Sequence, residues 1–158
     1  MPLQGLIPRR KIEQCCRRQH RKGKRIVFTN GVFDLLHRGH VDYLAKAKAL
    51  GDVLIVGLNS DASARRLKGK GRPFQSQRDR AAILLALKAV DFVVLFSEDR
   101  PDRLIQQIRP DVLVKGADYR LKEIAGADFV SSYGGEVRRI RLTGRRSTSR
   151  LVKKLFSL

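Results

Sequence analysis

Residues 24–40 read KRIVFTNGVFDLLHRGH, and this stretch decides the fold. Residues 24–30 are a short β-branched and aromatic run bounded by Gly23 and Gly31, which predicts a buried strand. Helical spacing follows from about His40 to Leu50, with Val41, Leu44, Ala45 and the alanines at 47 and 49 on or beside one face. Gly51 stops that helix.

The same alternation continues outward. Residues 52–59 (DVLIVGLN) predict a second buried strand, 61–67 a short helix and 69–73 (GKGRP) a loop. Residues 78–89 predict a helix with Ile83, Leu84 and Leu87 inward, and 92–96 (FVVLF) a third strand. A helix over 101–108, with Pro101 in its first turn and Pro110 beyond its end, leads to a fourth strand at 112–115. Residues 121–133 read as helix, Gly134-Gly135 as a turn, and 137–142 as a fifth strand. A hydroxyl caps a final helix over 147–155. On the amino side, 8–21 (PRRKIEQCCRRQHR) is polar, with Pro8 placed to open a helix. Its apolar face is thin, so residues 1–22 are expected as a peripheral helix beside a domain at 23–158. Strand and helix in turn predict an α/β fold: a parallel five-stranded sheet with helices on both faces, in a single domain.

Composition bounds the function. No apolar run approaches the roughly 20 residues that cross a bilayer, and the first ten residues show no long apolar stretch or cleavage site. No membrane association and a cytoplasmic location are therefore expected. The only cysteines, Cys15 and Cys16, are adjacent, which excludes a disulfide framework and a four-cysteine zinc site. They are read as free thiols on a helix. The formal charge is +19, densest at 9–25 and 138–150. It fits a nucleic-acid binder, an enzyme whose field gathers small polyanions, or a surface kept basic for solubility. Aromatic residues total only 6%, which weakens a single-strand stacking surface.

In an open parallel sheet, ligands bind beyond the carboxyl ends of strands. The first strand runs out into TNGVFDLLHRGH, and the helix after it begins where free N–H groups suit phosphate. Gly31 and Gly39 let backbone approach a ligand. His37 and His40, two of only three histidines, are three residues apart and can face one side, each offering an N–H to phosphoryl oxygen. The plainer reading of such a pair is a helix cap or a surface pair. Metal ligation lacks enough partner residues, so no metal site is expected. His20, in the arginine-rich helix, is read as solvated.

TNGVFDLLHRGHVDYL, residues 29–44, resembles the signature of the HIGH-motif nucleotidylyltransferases, the cytidylyltransferase-like superfamily: a hydrophobic strand, Gly-x-Phe-Asp, then His-x-Gly-His. The resemblance implies a Rossmann-like sheet. Residues 52–61, 67–73, 80–91, 110–119 (PDVLVKGADY), 134–135 and 145–154 (RRSTSRLVKK) resemble the branch that adenylylates D-glycero-β-D-manno-heptose 1-phosphate. In many bacteria that activity is fused to a kinase, for which 158 residues are too few, so a stand-alone or separately encoded version is expected. The chain departs from the family pattern at Ala117, where a second glycine is usual, at Ser149, where threonine is usual, and at Arg78, where an acid is frequent.

The resemblance implies attack by a sugar-phosphate oxygen on the α-phosphorus of ATP, with Mg²⁺ carried on the nucleotide and a homodimer common. His37, His40, Lys70 and Arg80 are the expected catalytic groups. Thr29, Asn30, Gly31, Phe33, Asp34, Gly39, Lys115, Gly116, Asp118, Ser147, Thr148 and Ser149 would bind nucleotide, with Tyr119 beside them. Asp34 would order the turn, or else help to hold Mg²⁺. Arg72 and Arg80 would take the acceptor phosphate. A cytidylyltransferase for glycerol 3-phosphate or phosphoethanolamine is the alternative within the superfamily. A nucleic-acid-binding module is the alternative outside it, and incidental nucleic-acid affinity is compatible with either enzyme.

Overall fold

The computed structural model describes residues 3–141 and Val152. The central strand is β1 (Ile26–Gly31). β2 (Val53–Asn59) and then β3 (Phe92–Phe96) lie on one side of it, and β4 (Val112–Gly116) and then β5 (Glu136–Ile140) on the other, giving the order β3-β2-β1-β4-β5. All four pairings are parallel. β2 is buried along its whole length, as a strand covered on both faces must be. The fold is a Rossmann-like α/β domain, as the alternation predicts.

The helices are α1 (Ile12–Arg21), α2 (Arg38–Lys48), α3 (Asp61–Lys68), α4 (Gln77–Leu85), α5 (Asp102–Ile108) and α6 (Ala127–Ser132). Alternate side chains of each strand feed two cores. Ile26 and Phe28 pack with Ile12 and Cys16 of α1, Leu104, Ile105 and Ile108 of α5, and Val130 of α6. Val27, Leu54 and Val56 pack with Tyr43, Leu44 and Ala47 of α2 and with Ala81 and Leu84 of α4.

Several expectations are corrected. α1 is not peripheral: its three apolar positions, Ile12, Cys15 and Cys16, are all buried, so even a thin stripe seats it on the sheet. Ahead of it, Ile7 N–H donates to Val93 O at 2.8 Å and Val93 N–H to Gly5 O at 3.0 Å, so the amino-terminal arm pairs with the edge of β3. His20 is not simply solvated, because its Nε2 lies 3.1 Å from Asp111 Oδ2. α4 ends at Leu85, and Ile83 points outward while Arg80, Ala81 and Leu84 point in. The helix expected over 121–133 is split into a 3-10 turn (Leu121–Glu123) and α6. Gly126 between them has φ +78°, a left-handed conformation that side chains rarely adopt. The strand end at 141–142 and the final helix over 147–155 fall largely outside the described residues.

Candidate active site

With β2 on one side of β1 and β4 on the other, the chain switches direction at β1, and a crevice opens at the carboxyl ends of β1 and β4. A cleft of about 730 Å³ lies there. Asn30, Gly31, Val32, Phe33, Asp34, His37 and His40 line it from the end of β1 to the first turn of α2, Asn59 from the end of β2, and Leu67, Lys68 and Arg72 from α3 and the loop after it. Asp99, Arg100 and Pro101 line it beyond β3, Lys115 and Gly116 from the end of β4, and Asp118, Tyr119 and Glu123 beyond β4. A hollow of similar size between α1 and α5 contains no histidine, and its Arg9 is held by Glu98 and Gln107.

His37 is the N-cap of α2, and His40 sits in the first turn. Their rings stack with centroids 3.9 Å apart. The His37 N–H points at Nδ1 of His40 across a long 3.4 Å, which leaves the His40 proton on Nε2. Burial, reinforced by His37, pushes His40 down to about 4, so the ring is neutral near pH 7. Phe33 stands edge-on to His40 at 5.5 Å. Its φ is +46°, a strained setting for an aromatic residue. Gly31 makes the ring's position possible: a Cβ there would fall 2.9 Å from Phe33 Cε2.

Across the cleft, Lys115 Nζ donates to Asn30 Oδ1 at 3.0 Å and lies 5.1 Å from the centre of the Tyr119 ring. Burial lowers its ammonium to about 8, with Asp118 opposing that shift. Asp34 is buried, and its Oδ1 accepts from Phe74 N–H at 2.8 Å and Gln75 N–H at 3.2 Å. Its Oδ2 lies 2.8 Å from Arg72 Nε as an ion pair without the alignment of a hydrogen bond. Arg72 also stacks over Phe74 at 4.4 Å. Asp34 therefore ties the turn after β1 to the loop before α4.

Other expected residues are placed elsewhere. Arg80 does not reach the cleft: its guanidinium is wholly buried and bonded to Val32 O, Gln75 O and Asp61. Thr29 lies beneath the floor, where its hydroxyl meets Tyr43 OH at 2.8 Å. Gly39 is buried within α2. Lys70 is exposed and does not line the cleft, whereas Lys68 does. Ser147, Thr148 and Ser149 lie outside the described residues. Lys68, Asp99 and Arg100 are cleft residues that the sequence reading missed. Asp99 and Arg100 stand just past the end of β3 and Lys68 closes α3, positions that many surface charges share.

Cations and a stacked imidazole pair at the switch point of a parallel sheet define an α/β protein with a site suited to phosphate esters. The chain belongs to the cytidylyltransferase-like family, whose model matches residues 28–146. It is 54% identical over 140 residues to the bifunctional protein HldE of Citrifermentans bemidjiense, covering 89% of this chain and 29% of that one. It is 55% identical over 150 residues to the HldE of Wolinella succinogenes, covering 95% and 31%. The chain thus spans less than a third of the length of these curated relatives. Among solved structures, a lipopolysaccharide core biosynthesis protein from Thermoplasma volcanium is similar at TM-score 0.64 and 31% identity, over 78% of this chain and all of that one. A pantoate-beta-alanine ligase from Francisella tularensis, at TM-score 0.63 and 18% identity over 91% of this chain and 68% of that one, shares the fold.

Proposed function

We propose that this chain transfers an adenylyl group from ATP to a sugar 1-phosphate, D-glycero-β-D-manno-heptose 1-phosphate, giving ADP-heptose and pyrophosphate. The observation that carries the reading is the stacked pair His37 and His40 at the mouth of α2, facing a cleft that also holds Lys115, Lys68 and Arg72. The choice of sugar rests on the KGADY segment at 115–119 and on the likeness to the HldE proteins.

An acceptor phosphate oxygen attacks the α-phosphorus and forms the new P–O bond. The bond from the α-phosphorus to the bridging oxygen breaks, and pyrophosphate leaves with the electron pair. That acceptor oxygen is already ionised near pH 7, so no general base is required. The work of the site is to gather two anions and align them, for which positioning supplies roughly 7–11 kcal/mol in ideal cases. Neutral His40 donates from Nε2 to phosphoryl oxygen as charge grows in the transition state. Lys115, Lys68 and Arg72 offset the remaining negative charge. Mg²⁺ enters as part of the nucleotide substrate; among the described residues no group of three or more His, Cys, Asp or Glu is placed to hold a metal ion. Such chemistry belongs in the cytoplasm, where ATP is supplied.

A panel of triphosphates and acceptors, read by pyrophosphate release, tests the proposal. ATP with heptose 1-phosphate is the expected pair. Turnover with CTP alone on glycerol 3-phosphate or phosphoethanolamine overturns it in favour of the alternative within the family.

A further inference from the structure

Arg80 is the largest fully buried side chain among the described residues, and its guanidinium has no solvent exposure. A buried cation is tolerated only when its donors are met, and those of Arg80 are met by three separate elements. Nη1 donates to Val32 O at 2.6 Å, Nη2 to Asp61 Oδ1 at 2.8 Å and Nε to Gln75 O at 3.1 Å. The fork therefore joins the turn after β1, the start of α3 and the loop before α4. Asp34 ties the same two loops a second time through the N–H groups of Phe74 and Gln75.

The chain of contact continues to the imidazoles. Val32 precedes Phe33, whose left-handed backbone persists only if its surroundings impose it. Phe33 meets His40 edge-on, and His40 stacks on His37. We propose that Arg80 is the positioning residue of this site: by gripping the Val32 carbonyl it fixes the 32–34 turn, and through Phe33 it sets the ring pair toward the cleft. It touches neither nucleotide nor acceptor. Lysine cannot substitute, since a single ammonium lacks the planar fork that meets three acceptors at once. The catalytic consequence rests on the nucleotidyl-transfer reading, whereas the geometric one does not.

The test uses the full chain in solution. Its three histidines give a simple set of imidazole NMR resonances, and His20, held by Asp111, is an internal reference. In Arg80→Lys the His37 and His40 resonances are expected to move while His20 stays in place. With ATP and the acceptor, kcat is expected to fall about 100-fold, the size of effect a displacement near 1 Å produces, with the KM for ATP changed less than about threefold. In a His40→Ala background the same substitution is expected to cost less than about threefold, because residues acting through one contact are not additive. Unmoved His37 and His40 resonances, a KM rise at constant kcat, or full additivity with His40→Ala each overturn the proposal. Should Arg80→Lys fail to fold, Asp61→Asn loosens the fork from one side, and constant imidazole resonances in that variant overturn it equally. A wild-type chain that turns over no triphosphate removes the function proposed above, and the NMR comparison still decides the role of Arg80.

Discussion

His37 and His40 were legible in the sequence because spacing carries them: three residues apart at a helix start, two rings fall on one side. The neutrality of His40 is not legible, because it comes from burial. His40 accepts a proton only near pH 4 when folded, against about 6.5 when unfolded. Unfolding therefore takes up a proton anywhere between those values. Stability is full above pH 6.5, falls as the pH drops through this window, and is lost by about pH 4, by a share on the order of 1–3 kcal/mol. His40→Gln is expected to flatten that part of a denaturation-versus-pH curve; an unchanged slope would mean that His40 titrates normally. His40→Ala is expected to lower kcat by about 10²–10³, the effect of removing one preorganised donor, with the melting temperature little changed. Lys115 shifts in the same direction, in a higher pH window. Its ammonium releases its proton near 8 when folded but near 10.5 when unfolded, so the charged form weakens the fold below pH 8 and stability rises with pH between the two values. Lys115→Met is expected to raise the melting temperature at pH 7 while lowering kcat/KM. In the wild type, kcat/KM is expected to fall as the pH passes 8. A Lys115→Met chain less stable than wild type would show that the Asn30 bonds outweigh the desolvation.

The elements were legible where hydrophobic periodicity was strong and illegible where tertiary contact overrode it. β3 was read to its exact bounds because five apolar residues stand between turn signals. α1 reads as peripheral because ten of the fourteen residues at 8–21 are charged or amide-bearing or histidine, and three buried positions among them look weak in isolation. Ile12 is nonetheless fully buried beside α5. Ile12→Ala is expected to cost roughly 2–5 kcal/mol, or about 5–15 °C in melting temperature at this chain length. A loss below about 1 kcal/mol by denaturant titration would return α1 to the periphery. Arg80 reads as an acceptor-phosphate ligand for a related reason. In a chain with 34 basic side chains, nothing in the sequence marks Arg80, the one that is fully buried among the described residues.

At the level of the whole molecule, strand–helix alternation gave the layers, while the strand order emerges only from the pairing of β1 with both β2 and β4. That order creates the crevice in which the first turn and the β4 loop meet. The net charge of +19 exceeds anything the cleft needs. Much of it lies on the exposed side of α1 and just beyond, at Arg17, Arg18, Arg21, Lys22 and Lys24. Binding to random duplex DNA is therefore expected at low salt and is expected to weaken steeply as salt rises, while kcat at saturating ATP changes little. Inhibition by duplex that ATP cannot relieve would place the two polyanions on separate surfaces; simple competition would place both in the cleft.

The amino-terminal arm has an engineering consequence. It pairs with Val93, the second residue of β3, and runs parallel to that strand. A turn over residues 3–6, closed by Leu6 N–H to Leu3 O at 3.1 Å, leads into this pairing at the amino end of β3, the end of the strand opposite the crevice. A purification tag or reporter attached there would start from the sheet border at β3 and not from the loops that line the cleft.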